Sequence, residues 1–183
     1  MKKEIVTDNL IMVSAKSDKK SADYIVDQIF SDSVVKRISK VLNDKRVDYK
    51  NSVYNDIADT FAIFAIYKTD VYCGYIQLIE KKEHYELGIE LLNEHRRQGI
   101  GTESVIAFCK YLKEEFGIET VELRIFANNS ISVSFFKKLG AKYKREKPFL
   151  KNMEAYCSDE ELKDLNVLQY ELMYREMTEE NND

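Results

Sequence analysis

The feature that most constrains this chain is a change of hydrophobic period in its middle. Three apolar runs come first, at residues 61–67, 71–80 and 85–92, separated only by Lys68-Thr69-Asp70 and Lys81-Lys82-Glu83-His84. Runs of that length with turns that short read as an antiparallel meander. From residue 104 the spacing switches. Val105, Ile106, Phe108, Cys109, Leu112 and Phe116 form one stripe of an amphipathic helix over 104–116, and Gly117 ends it. A buried strand at 120–125 and a second helix over 130–139, closed by Gly140, follow.

The flanks extend this pattern. Residues 10–13 read as a first strand. Residues 21–30 and 33–42 read as two short helices, with Ser21 and Ser33 as their N-caps. Two late strands are expected near 141–144 and 167–173. The order is strand, two helices, meander, helix, strand, helix, two strands. It predicts an α/β fold: a mixed, mostly antiparallel central sheet with helices on both faces. One proline, six glycines and no repeat or low-complexity tract argue for a single domain over 1–177, with 178–183 as a frayed polar tail.

Charge and cysteine usage narrow the function. The 28 basic and 32 acidic side chains leave a net charge of −4, against the sign expected of a nucleic-acid binder. The densest basic run, Lys144-Arg145-Glu146-Lys147, is interrupted by an acid. No window approaches the ~18 apolar residues of a spanning helix, and no apolar signal segment precedes Asp8. No membrane partner is expected. Cys73, Cys109 and Cys157 are odd in number and lack paired metal-ligand spacing. We read free thiols in a reducing cytoplasm and no metal site.

The stretch that carries chemistry is Leu91-Leu92-Asn93-Glu94-His95-Arg96-Arg97-Gln98-Gly99-Ile100-Gly101-Thr102. Two glycines one residue apart lie between a strand and a helix. The unpaired N–H groups of a first helical turn, at the positive end of the helix dipole, suit phosphate oxygens. Arg96 and Arg97 add positive charge. An ordinary glycine-bearing loop would look similar. A dinucleotide fingerprint GxGxxG fails at its third place, where Ser104 stands, and the antiparallel meander is the wrong context. No GxxxxGK[ST] occurs.

Arg96-Arg97-Gln98-Gly99-Ile100-Gly101 resembles the (Gln/Arg)-x-x-Gly-x-(Gly/Ala) signature of the GNAT superfamily, the acyl-CoA-dependent N-acyltransferases. A second stretch, Asn129 to Ala141 ending in Lys138-Leu139-Gly140, resembles that family's Asn-containing helix. Thr7-Asp8-Asn9-Leu10-Ile11-Met12 resembles the opening of the branch that includes ribosomal-protein N-terminal acetyltransferases. The resemblance covers residues 61–144 well.

It implies roles for particular residues. Main-chain N–H groups of Gly99, Ile100, Gly101 and Thr102 would hold the diphosphate of acetyl-CoA, the co-substrate, in a cofactor-binding stretch that begins with Arg96, Arg97 and Gln98. Backbone groups of Ile89, Glu90 and Leu91 would pair with the pantetheine arm and polarise the thioester carbonyl. Asn129 has two readings: a side-chain hydrogen bond to pantetheine, or a helix N-cap. Phe136 stands where many members place a tyrosine that protonates the departing thiolate, so it would line the cofactor without giving a proton. Ser132, four residues earlier on the same helical face, is the replacement candidate; a solvated or backbone-bonded hydroxyl is the plain alternative.

A base is also needed, and Glu90 is first choice ahead of Glu86, His95 and His84. A salt-bridged or solvated glutamate is the competing account, and both histidines read as exposed loop residues. Cys109 falls on a core stripe and reads as an inert thiol. The reading that follows is an N-acetyltransferase acting on a primary amine, on a protein or a small molecule, by direct attack in a ternary complex. Residues 21–42 and 143–165 would form the acceptor side. A homodimer is compatible with it. The alternative is a non-catalytic CoA-binding sensor, which Phe136 makes credible.

Overall fold

In a computed structural model of the protein, residues 2–31, 49–148 and 166–174 are described. They divide into two compact units. Met1–Glu80 with Gly88–Tyr111 form the first, and Lys81–Leu87 with Leu112–Asp183 the second. The expected helix at 33–42, the tail 178–183, Cys157 and most of the proposed acceptor segment 143–165 lie outside the described residues.

The first unit is built on strands β1 (Glu4–Val6), β2 (Ile11–Ser14), β3 (Ala62–Lys68), β4 (Val71–Glu80) and part of β5 (Tyr85–Leu91), in that spatial order. β1–β2, β2–β3 and β3–β4 pair antiparallel, which bears out the first hairpin of the meander. The turn between β3 and β4 places Thr69 and Asp70 at φ 48° and 64°. Two successive left-handed residues match the right-handed twist of a hairpin.

β3 is buried along most of its length, as a strand covered on both faces must be. Its side chains alternate. Ile63 and Ala65 join Ala22, Ile25, Val26, Val53 and Ile57 in one cluster, under helices α1 (Lys19–Ser31) and α2 (Tyr49–Asp59). Phe64 points the other way and meets Phe108 and Tyr111 of helix α3 (Ile100–Phe116) edge-on, at 5.8 and 5.6 Å between ring centroids. Within this unit, therefore, helices cover both faces. Fully buried side chains of this size each stabilise a fold by about 1.5–3 kcal/mol.

Local chemistry moved several boundaries. α1 begins at Lys19, because the Asp18 carboxylate accepts the Ser21 N–H at 2.8 Å. Asp18, and not Ser21, is the cap. Ser21 is fully buried, and its hydroxyl lies 2.9 Å from the Tyr67 phenol. α3 starts four residues earlier than its apolar stripe. β1 and α2 have weak sequence signals and were not expected. Gly117, at φ 68°, ends α3 with its N–H on the Lys113 carbonyl.

The second unit holds the rest of β5, then β6 (Thr120–Phe126), β8 (Asn166–Met173) and β7 (Lys142–Pro148), in spatial order β5-β6-β8-β7, with helix α4 (Ser130–Lys138) between β6 and β7 in the chain. β5 and β6 run parallel, with Glu86 opposite Glu122. β6–β8 and β7–β8 are antiparallel. One face is apolar, with Val121 across from Leu172 and Leu123 across from Tyr170. The other is charged. His84 lies 3.3 Å from Glu86 and 3.5 Å from Glu122; Arg124 and Lys144 approach Glu86 and Glu122 at 3.7 and 3.6 Å. The basic run of residues 144–147 is part of β7, which is exposed throughout and ends on Pro148, features that blunt an edge strand.

Candidate active site

The chain leaves β5 at Leu91, and the Leu92 N–H donates to the Cys73 carbonyl at 2.9 Å. A single 3₁₀ turn, Asn93–His95, follows. Arg96 is extended at φ −75°, ψ 157°, and its Nε donates back to the Leu91 carbonyl at 3.0 Å. Arg97 then takes φ 60° and Gly99 φ 79°. The Gly99 carbonyl accepts the first bond of α3, from the Glu103 N–H at 3.0 Å. That bond leaves the N–H groups of Ile100, Gly101 and Thr102 without intrahelical acceptors. Left-handed residues feeding a helix start turn successive N–H groups into one concavity, an anion nest. A Cβ on Gly99 would meet nothing within 4 Å, so its φ, and not its surroundings, calls for glycine. Gln98 is tied locally, its amide donating to the Glu94 carbonyl at 2.7 Å.

Upstream, β4 is shaped to press on the end of β5. Its register against β3 slips between Ile66, opposite Gly74, and Tyr67, opposite Tyr72, so Cys73 is the extra residue of a bulge. Gly74 sits at φ 147°, and a Cβ there would lie 2.1 Å from the Glu90 carbonyl oxygen and 2.7 Å from Leu91 Cα. Only glycine permits that approach.

Glu90 is held at both ends. Its carboxylate accepts the Tyr75 phenol at 3.1 Å, and its carbonyl faces the Gln28 amide at 3.4 Å. Gln28 accepts the Tyr72 phenol at 2.7 Å. Burial pushes the Tyr72 phenol above its ordinary pKa, with Tyr67 and Glu90 adding to the effect. Gln28 is 5% exposed. Sequence reasoning missed it; the available signal was a polar residue in register with Ser21 and Ile25 on the buried face of α1.

In the second unit, Asn129 is an N-cap: its Oδ1 accepts the Ser132 N–H at 3.1 Å. Among the described residues, the Asn129 side chain is bonded through its oxygen alone. Ser132 is half-buried and Phe136 is 5% exposed, its ring edge-on to Phe135 at 4.8 Å. His84, expected to be solvated, instead lies within 3.5 Å of both Glu86 and Glu122, and Glu86 is engaged by it and by Arg124. Cys109 is buried and its thiol is pushed up to about 12 by burial; Cys73 is also buried and raised for the same first reason. Among the described residues no group of three or more His, Cys, Asp or Glu could hold a metal ion, and no helix is long and apolar enough to cross a membrane.

Residues 10–142 match the acetyltransferase (GNAT) domain family. The chain belongs to the GNAT acetyltransferase family. It is 38% identical to an N-alpha-acetyltransferase of Sulfurisphaera tokodaii over 61 residues, 33% of this chain and 36% of that relative. The match thus spans about a third of the curated relative's length. An acetyltransferase (GNAT family) from Bacillus anthracis shares its fold with TM-score 0.65 and 17% identity, over 94% of this chain and 99% of the other. A RimL ribosomal L7/L12 alpha-N-protein acetyltransferase, solved in complex with coenzyme A, does so with TM-score 0.67 and 12% identity, over 93% and 97% of the two chains.

Proposed function

We propose that the protein transfers an acetyl group from acetyl-CoA to a primary amine by direct attack in a ternary complex. One observation carries the reading: the left-handed turn at Arg97 and Gly99 that presents the N–H groups of Ile100, Gly101 and Thr102 at the start of α3. Those groups would hold the diphosphate, with Arg96 and Arg97 beside it. The main chain of Ile89, Glu90 and Leu91 would pair with pantetheine as an added strand, and a backbone N–H there would stabilise the oxyanion. The Asn129 amide nitrogen, which the cap does not use, suits a bond to pantetheine.

Glu90 would take the proton of the incoming ammonium, directly or through water. Tyr75 holds its carboxylate in place. Phe136 has no proton to give, so Ser132, one helical turn before it, would assist thiolate departure. The names of two relatives, an N-alpha-acetyltransferase and an alpha-N-protein acetyltransferase, support the α-amine of a protein as acceptor over a small-molecule amine. The buried, unbridged thiols Cys73 and Cys109 suit a reducing cytoplasm.

The test is thiol release from acetyl-CoA over a panel of peptides, polyamines and amino acids, with mass spectrometry of the product. An acetylated amine is expected, and a peptide α-amine above the others. A second reading, a CoA-binding sensor, is favoured by Phe136. CoA binding with no turnover on any amine would select it.

A further inference from the structure

The loop between β1 and β2 is bonded to the first turn of α3. The Thr7 hydroxyl donates to Glu103 Oε1 at 2.5 Å, and the Asn9 main-chain N–H donates to the same oxygen at 3.1 Å. The Asn9 amide lies 3.4 and 3.2 Å from the two carboxylate oxygens. Thr7 is itself fixed, its oxygen accepting the Leu10 N–H at 3.0 Å. Residues 94 and 96 positions apart thus form one cluster. Burial works to raise the Glu103 carboxyl, but the bonds from Thr7 and Asn9 outweigh it and hold the group below its ordinary value.

Glu103 occupies the first turn of the helix whose N–H groups form the nest. A carboxylate there is drawn to the positive end of the helix dipole. A diphosphate is drawn to the same place, so the two anions oppose each other. We propose that Thr7 and Asn9 are positioning residues for the cofactor: they hold the Glu103 carboxylate against the β1–β2 loop, brace the start of α3, and keep a competing anion off the nest. The proposal rests on the reading of that nest as the diphosphate site. It gives the opening Thr7–Leu10 segment a task that acyl transfer itself does not use.

The test measures coenzyme A binding by calorimetry for the parent, for Thr7→Val/Asn9→Ala, and for the same pair combined with Glu103→Gln. The pair removes both side-chain donors and leaves the charge. Its Kd should rise about two- to five-fold, the usual worth of a charge at a helix end. Adding Glu103→Gln removes the competing charge and should recover most of the loss. The deficit of the pair should also shrink in 1 M salt, where the screening length falls to about 3 Å. Asn9→Ala alone, in an exposed loop, provides a milder version if the pair melts early. An unchanged Kd in both variants would overturn the proposal. So would a raised Kd that Glu103→Gln does not recover, since a purely structural brace would not be rescued by neutralising its own anchor. A parent that fails to bind coenzyme A would instead remove the diphosphate reading beneath it.

Discussion

Replacing Gly74 by alanine should damage catalysis more than cofactor binding. The new Cβ would stand 2.1 Å from the Glu90 carbonyl oxygen and 2.7 Å from Leu91 Cα. Both are backbone atoms, so no rotamer change relieves the clash. An ordinary contact begins near 3.4 Å, so the end of β5 must retreat by about 1.3 Å, and misplacement of that order costs about 10²-fold in rate. The positive φ and the overpacking together should cost about 2–6 kcal/mol of stability. The nest at Ile100–Thr102 lies beyond the clash and would keep its hold on the diphosphate, so CoA should still bind, but more weakly, through poorer pairing of Glu90 and Leu91 with pantetheine. The assay pairs steady-state thiol release with CoA calorimetry and a thermal melt. A folded Gly74→Ala protein with parental kcat would refute the argument that this approach sets the reacting strand.

Ser132→Ala should lower turnover and leave CoA affinity nearly intact; unchanged turnover would release Ser132 from the role. Glu90→Gln should lose activity most at low pH, where less free amine exists, so a pH profile matching the parent places the base elsewhere. Asn129→Ala removes the cap of α4 and should cost about 1 kcal/mol in the melt, whereas Asn129→Asp should keep the cap and lose the donor left for pantetheine. Glu103 has a depressed carboxyl, so its bonds contribute stability above its ordinary titration range and lose it as pH falls through the depressed value. Glu103→Gln should therefore be less stable than the parent at pH 7 and converge with it in acid; a constant gap across pH would count against the assignment.

The sequence by itself determined the order of most elements, because period and turn chemistry are local. The meander, the stripe of α3, the stops at Gly117 and Gly140 and the glycine-bearing loop at Arg96–Thr102 could all be read from residues near one another. The Asn129 cap was legible for the same reason. Only the tertiary structure decided what depends on distant partners. Gln28 against Tyr72 and Glu90, the approach of Gly74 to β5, the engagement of His84 by two glutamates and the hold of Thr7 and Asn9 on Glu103 are hydrogen bonds or contacts between separate elements. A polar side chain carries no local mark of the partner it will meet, whereas an apolar one announces its face by its spacing.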